Sequence, residues 1–208
     1  MKEFILKEDP FHDNELPSPW VQRWSHLVAP RGVVLDVACG HGRHARWFYD
    51  QNHPVALVDR SQEAIESIAI PQHACEAVVA DIENGPWPFA GREFDAVLVI
   101  NYLWRPLMPT LLASLAPGGV LIYETFTQGN ETVGKPSRAD FLLRSGELLA
   151  LCQGLRVVAF EDGFQEGPLG QRPRFVQRIA AVREAANTAD KPGSLNPAAS
   201  RPCRYPLF

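Results

Sequence analysis

Asp36, Gly40, Gly42, Asp59 and Asp81 are the residues of this chain whose types and spacing point most directly to chemistry. The run at residues 33–45, VVLDVACGHGRHA, is apolar up to Val37 and then turns through Gly40-His41-Gly42. Two glycines one residue apart let the backbone turn tightly and approach a ligand, and a helix starting at Arg43 would offer its free N–H groups and dipole to an anionic group. Asp36 precedes Gly40 by four residues, and Asp59, which closes the apolar run PVALVD, follows it by 19. A carboxylate at a strand end can accept two hydrogen bonds from the hydroxyls of one sugar, so the pattern describes a nucleoside pocket.

The elements that must position these residues follow from hydrophobic patterning. Residues 33–37 read as a strand buried on both faces of a parallel sheet, and 43–50 as the next helix. Residues 54–59 form a second strand, 61–68 a helix capped by Ser61, and 74–80 a third strand with Asp81 and Ile82 at its mouth. A fourth strand at 94–100 leads into Asn101-Tyr102-Leu103-Trp104, and a helix at 106–116 is closed by Pro117-Gly118-Gly119. The fifth strand, 120–126, carries Tyr123 and Glu124 toward the same end of the sheet, where ligands of open α/β sheets bind. Residues 155–161 and 175–183 read as two last strands.

Asp36-x-x-x-Gly40-x-Gly42, followed by a strand ending in Asp59 and a segment ending in Ala80-Asp81, resembles the class I S-adenosylmethionine-dependent methyltransferases over residues 31–183. Ala38 stands where the fuller motif of that family often has its first glycine. Residues 141–149 further resemble a segment of bacterial methyltransferases of the tellurite-resistance type. The resemblance implies a Rossmann-like, doubly wound α/β sheet of seven strands with one antiparallel strand near the C-terminus. It implies S-adenosyl-L-methionine as cofactor, with Asp36 on its ammonium group, Ala38, Gly40 and Gly42 along its methionine part, Asp59 on the ribose, and Asp81 and Ile82 on the adenine. Arg60 and Asn101, at the ends of the second and fourth strands, complete the expected cofactor-binding set. Glu124, Tyr123 and Tyr102 are the candidates for a base acting on a small-molecule acceptor, should the acceptor need one.

Other readings share these letters. Gly40-His41-Gly42-Arg43-His44-Ala45 with Asp59 also fits the G-x-G-x-x-G/A fingerprint of a small NAD(P)-binding oxidoreductase. A non-catalytic nucleoside-binding protein is the other alternative, with Ala38 as its hint. Asp36, Asp81 and the lack of a second domain to supply dehydrogenase chemistry favour the methyl donor.

Composition narrows the partners. The chain has 208 residues, 46% apolar and 21% charged, with net charge −4 and a pI near 5.9, so it offers no broad basic surface to nucleic acid. No apolar run reaches the length of a membrane span and the N-terminus lacks a signal core, so a cytoplasmic enzyme is expected. The four cysteines show no C-x-x-C spacing, which argues against structural zinc and against a disulfide framework. Cys39, in the ligand turn, reads either as a reactive thiol or as small buried filler.

Three segments lie outside this frame. Residues 1–30 form an expected arm and helix, the helix beginning at the Ser18 cap with Trp20, Trp24 and Leu27 on one face. That face either packs on the sheet edge or serves as a lid, with Phe11, His12 and Trp20 bordering the acceptor. The loop at 127–138 is too long and glycine-rich for a plain connector, and Lys135, Arg138, Arg144 and Arg105 either give the acceptor entrance a positive potential or are solvated charges. Residues 31–184 are the expected methyltransferase domain, and 185–208, rich in Ala, Asn, Pro and Ser, an expected disordered tail.

Overall fold

A computed structural model describes residues 16–167, 172–185 and 205–207. Seven strands form one sheet in the order β3-β2-β1-β4-β5-β7-β6. They are β1 (Val34–Val37), β2 (Val55–Asp59), β3 (Cys75–Val79), β4 (Phe94–Ile100), β5 (Leu115–Phe126), β6 (Arg156–Gln165) and β7 (Arg174–Val182). The first five pair in parallel, whereas β7 lies antiparallel to both β5 and β6. This is the expected doubly wound α/β sheet, its one reversed strand set between β5 and β6.

Burial on both faces explains the near-continuous apolar runs. Leu35 and Val37 of β1 join a core with Val97, Val99, Leu121 and Tyr123, whereas Val34 joins Leu98, Ile100 and Ile122 in a second core across the sheet. The second face is covered by α1 (Pro19–Trp24) and α2 (Arg43–Asp50), the first by α4 (Met108–Ala113) and α5 (Glu147–Leu151). The α2 bounds are those read from the sequence. The intervening helix α3 (Gln62–Glu66) is capped by Ser61, whose side chain accepts from the Ala64 N–H, as expected.

Two departures have local causes. The expected helix at 106–116 shortens to a 3-10 turn, Arg105–Leu107, followed by α4, and β5 starts at Leu115, so Pro117-Gly118-Gly119 lies inside the strand. The sheet accommodates this by a register shift between Phe94 and Ala96, and by Gly119, where a Cβ would come within 2.8 Å of the Phe94 carbonyl oxygen. The helix expected at 19–28 is α1 plus a 3-10 turn, Ser25–Leu27, and it packs on the face of the sheet rather than its edge. Trp20 and Trp24 are buried there in edge-on contact, with Trp20 Nε1 donating to the Ile179 carbonyl at 3.3 Å.

The loop after β5 is a built element. Asn130 is buried and bridges the Pro136 carbonyl and the Phe175 N–H, and Thr127 donates to the Leu143 carbonyl. Arg105 holds the far end of the loop, pairing twice with Glu147 and donating to the Asp140 and Leu142 carbonyls. Within the expected tail, Tyr205 packs against the α1 side of the core and the Pro206 carbonyl meets His26. Residues 186–204, like Phe11 and His12, lie outside the described residues.

Candidate active site

The turn after β1 is built by residues in left-handed backbone. Ala38, Gly40 and Gly42 have φ of 53°, 53° and 71°. A Cβ on Gly42 would lie 2.9 Å from Ile68, so that glycine allows the turn to pack on the residues after α3; a Cβ on Gly40 would meet nothing within 4 Å. Asp59, at the end of β2, braces the turn: its Oδ2 accepts the Gly40 N–H at 2.8 Å and its Oδ1 accepts the Ser61 N–H at 2.9 Å. Each carboxylate oxygen has a second lone pair, so the brace leaves acceptor capacity for a ligand.

Asp36 is 1% exposed and its Oδ2 has no hydrogen-bond partner. Burial pushes its carboxyl up to about 7, opposed by the Arg43 charge and a bond to the Ala45 backbone and reinforced by Asp59. A buried carboxylate oxygen without a donor costs stability, and such a group at the mouth of a glycine turn is suited to receive an ammonium. Cys39 beside it is buried, and burial and the two aspartates hold its thiol well above the ordinary range, which removes the reactive-thiol reading.

A second group stands at the ends of β3 and β4. Asp81 is exposed, and its carboxylate folds its own turn by accepting the Glu83 and Asn84 N–H groups and the Asn84 side chain. The Asn84 side chain, then these N–H groups, hold it below the usual carboxylate value. Arg60 lies within electrostatic range of Asp81 and Tyr102. Ile82 and Tyr102 are half-buried against the core, and Asn101, at φ 57°, donates its N–H to the Glu124 carbonyl at 2.9 Å.

Two of the three base candidates are otherwise engaged, and the buried Tyr102 hydroxyl has no hydrogen-bond partner among the described residues. Glu124 is 1% exposed, accepts from Ser18 Oγ at 2.9 Å, and pairs with Arg178 at 3.1 Å and Arg174 at 3.4 Å. Glu124 is thus paired with arginine rather than free to act as a base. Tyr123 is buried and donates to the Tyr102 carbonyl at 3.0 Å, and burial holds both phenols well above their ordinary value. The lysine and arginines expected at the acceptor entrance are partly neutralised, Arg105 by Glu147 and Arg138 by Asp140.

Sequence reasoning missed the residues that surround Glu124. Ser18 caps α1 through the Trp20 N–H and also donates its own N–H to Nε2 of His44, a buried residue whose pKa burial lowers to about 3, so the ring is neutral. Arg43 feels the charges of Glu124, Asp36 and Arg174. The available signal was an acid in a strand buried on both faces, since such a charge requires a partner and Arg174 and Arg178 follow on a later strand.

Among the described residues no group of His, Cys, Asp or Glu is arranged to hold a metal ion, and no helix is long and apolar enough to cross a membrane. A cavity of about 500 Å³ lined by Tyr49, His53 and His73 lies at the amino ends of the strands, away from the glycine turn.

A family model described as a methyltransferase domain matches residues 34–119, the segment that holds the glycine turn, Asp59, Asp81 and Asn101. Over that segment the chain is similar to S-adenosylmethionine-dependent methyltransferases. It is similar to the malonyl-[acyl-carrier protein] O-methyltransferase of Serratia marcescens, at 28% identity over 107 residues, 49% of this chain and 41% of that protein. Its fold is similar to TehB from Haemophilus influenzae, with 15% identity, TM-score 0.64, and 77% of this chain and 60% of that chain covered. The glycopeptide N-methyltransferase MtfA complexed with S-adenosyl-L-methionine matches at 19% identity and TM-score 0.55, over 78% of this chain and 92% of that chain. At such identities the solved structures speak for the fold alone, and the chain spans less than two thirds of the Serratia protein and of TehB. Its own residues fit the donor: an orphaned buried carboxylate oxygen at Asp36, open space over Gly40, and spare acceptor capacity on Asp59.

Proposed function

We propose that this chain is a methyltransferase that passes a methyl group from S-adenosyl-L-methionine to a small-molecule acceptor, with the donor held over the carboxyl ends of β1, β2 and β3. The observation that carries the donor placement is the partnerless Oδ2 of Asp36, buried beside a turn whose three left-handed residues leave the space above Gly40 open. When bound, the donor supplies a methyl group already activated by its sulfonium. The protein then needs to supply mainly position and a water-poor surface.

In this reading Asp36 accepts from the ammonium of the donor, while the backbone at Ala38, Gly40 and Gly42 passes along its methionine part. Asp59 accepts from the ribose with the lone pairs that the Gly40 and Ser61 N–H groups leave. Asp81 accepts from the adenine amine, with Ile82 against the ring and Arg60 and Asn101 at the margins. Asp81 keeps one acceptor site, on Oδ2, for this role, because its turn uses three of about four. Glu124, held by two guanidiniums and a hydroxyl, positions β7 and α1 around the site rather than taking a proton.

The acceptor reading rests on the acidic net charge and on the relatives. One of these is named for O-methylation of malonyl-acyl carrier protein and another for N-methylation of a glycopeptide, so one fold serves different acceptor atoms. The test is calorimetric titration of the full chain with S-adenosylmethionine, S-adenosylhomocysteine, NAD and NADP. Binding of the two adenosyl compounds alone is expected; a nicotinamide cofactor binding in their place would overturn the donor.

A further inference from the structure

The reversed strand β7 does more than close the sheet. Its pairing with β5 ends at Phe126 opposite Val176, but its pairing with β6 continues to Gln165 opposite Arg174. The β6–β7 hairpin therefore overhangs the end of the sheet at which the donor is placed. Side chains of a strand alternate, so Arg174 and Arg178 share a face with Ala180, which belongs to the core beneath α1 and α2. Asp36 shares that face, because it alternates with Leu35 and Val37 on the other.

Both arginines converge on Glu124, and a third guanidinium, that of Arg43 at the start of α2, interacts with Glu124 and is repelled by Arg174. The share each receives is unequal. Arg178 is 11% exposed, lies 3.1 Å from Glu124 and 3.1 Å from Glu161, and stacks over Trp20 at 5.9 Å. Arg174 is 23% exposed, and its contact with Glu124 is the longer one, 3.4 Å, to a carboxylate that already accepts from Ser18 and is paired with Arg178. Its Nε donates to Gln165 at 3.1 Å. Among the described residues these two partners engage two of the five N–H donors that a guanidinium carries.

We propose that Arg174, supported by Arg178, is the anion-binding element of the acceptor site, and that the acceptor is a small carboxylic acid. The proposal rests on the donor placement given above. A guanidinium presents two parallel N–H groups that match the two oxygens of a carboxylate, and a ligand anion at Arg174 offsets repulsion among guanidiniums crowded around one buried acid. Burial strengthens that attraction relative to an exposed arginine, and burial already pulls the Arg174 pKa below its ordinary value. The site lies on the sheet face of Asp36 and beyond the end of β5, at the same end of the sheet as the proposed donor.

The test is calorimetric titration of the full chain, saturated with S-adenosylhomocysteine, with acetate, succinate and benzoate in parallel with inorganic phosphate. At least one carboxylate binds the parent protein, and the Arg174→Gln variant weakens it by about tenfold or more without altering S-adenosylhomocysteine affinity. Arg174→Lys, which keeps the charge and loses the fork, weakens the carboxylate by a smaller factor; this comparison decides the matter should the glutamine variant fail to fold. The proposal is overturned if no carboxylate binds, if Arg174→Gln and Arg174→Lys both bind it as the parent does, or if phosphate binds and the carboxylates do not. Failure of S-adenosylhomocysteine to bind the parent protein instead strikes the donor placement, and the same titrations without it then decide the anion site alone.

Discussion

The backbone N–H of Gly40 donates to the Asp59 carboxylate at 2.8 Å, tying the turn after β1 to the end of β2. One acid thus shapes the turn and, under the proposed function, also accepts from the ribose. Asp59→Ala removes the bonds to Gly40 and Ser61 together with the ribose contact, so both stability and donor affinity fall. Each charge-assisted bond is worth roughly 1.5–3 kcal/mol, hence about tenfold or more in affinity. Asp59→Asn keeps one acceptor oxygen, so it should recover part of the stability while affinity stays low. Urea unfolding and calorimetry read the two effects separately, and full affinity in the alanine variant would remove Asp59 from the site.

The glycine turn was legible in the sequence because it is local: two glycines, a preceding apolar run and a following helix fall within residues 33–50. The surroundings of Glu124 were not, since Ser18, Arg174 and Arg178 come from distant parts of the chain. The start of β5 was misplaced for a different reason. Pro117-Gly118-Gly119 carries strong turn signals, yet the sheet absorbs it through a register shift that only the partner strand β4 imposes. Asp81 folds its own turn through the Glu83 and Asn84 N–H groups, a purely local use of the acid that Asn84-Gly85-Pro86 beside it signals.

Gly40 and Gly42 separate by mutation. Both have positive φ, so alanine at either position costs about 1 kcal/mol in backbone strain. Gly42→Ala additionally drives a methyl group to 2.9 Å from Ile68 and lowers the melting temperature further. Gly40→Ala meets no protein atom within 4 Å, so its methyl group enters the space assigned to the donor. That variant should stay near parental stability, apart from the strain, and lose most of its affinity for S-adenosylhomocysteine. Ala38→Gly, by contrast, relieves a left-handed alanine at φ 53° and leaves affinity intact. Thermal unfolding with and without ligand distinguishes all three.

Asp36 gives the donor site a pH dependence. Its folded pKa, about 7, lies above the ordinary aspartate value of 3.8, so the stability it contributes is complete below about pH 4 and is lost as pH rises through 7. The bound ammonium prefers the ionised carboxylate, so donor affinity should rise over the same interval. Asp36→Asn removes the buried charge: at pH 8 it should be as stable as the parent or more so, yet bind the donor about tenfold or more weakly. Affinity that does not change between pH 6 and pH 8 in the parent would disconnect Asp36 from the ammonium.

His44 acts with the opposite sign in an overlapping window. Burial and the Arg43 charge lower its pKa from 6.5 to about 3, so the stability it contributes is complete above pH 6.5 and is lost as pH falls through 3. Its neutral Nε2 accepts the Ser18 N–H at 3.2 Å, and protonation would turn that acceptor into a donor facing a donor. The consequence reaches the Glu124 cluster, because Ser18 binds His44 through its backbone and Glu124 through its hydroxyl. His44→Gln offers a neutral oxygen that does not titrate. Its stability should therefore decline less between pH 6 and pH 4 than that of the parent, by an amount on the order of a few kcal/mol. Denaturant melts of both proteins across that interval measure the difference, and parallel curves would show that His44 takes up its proton in the folded chain as readily as in the unfolded one.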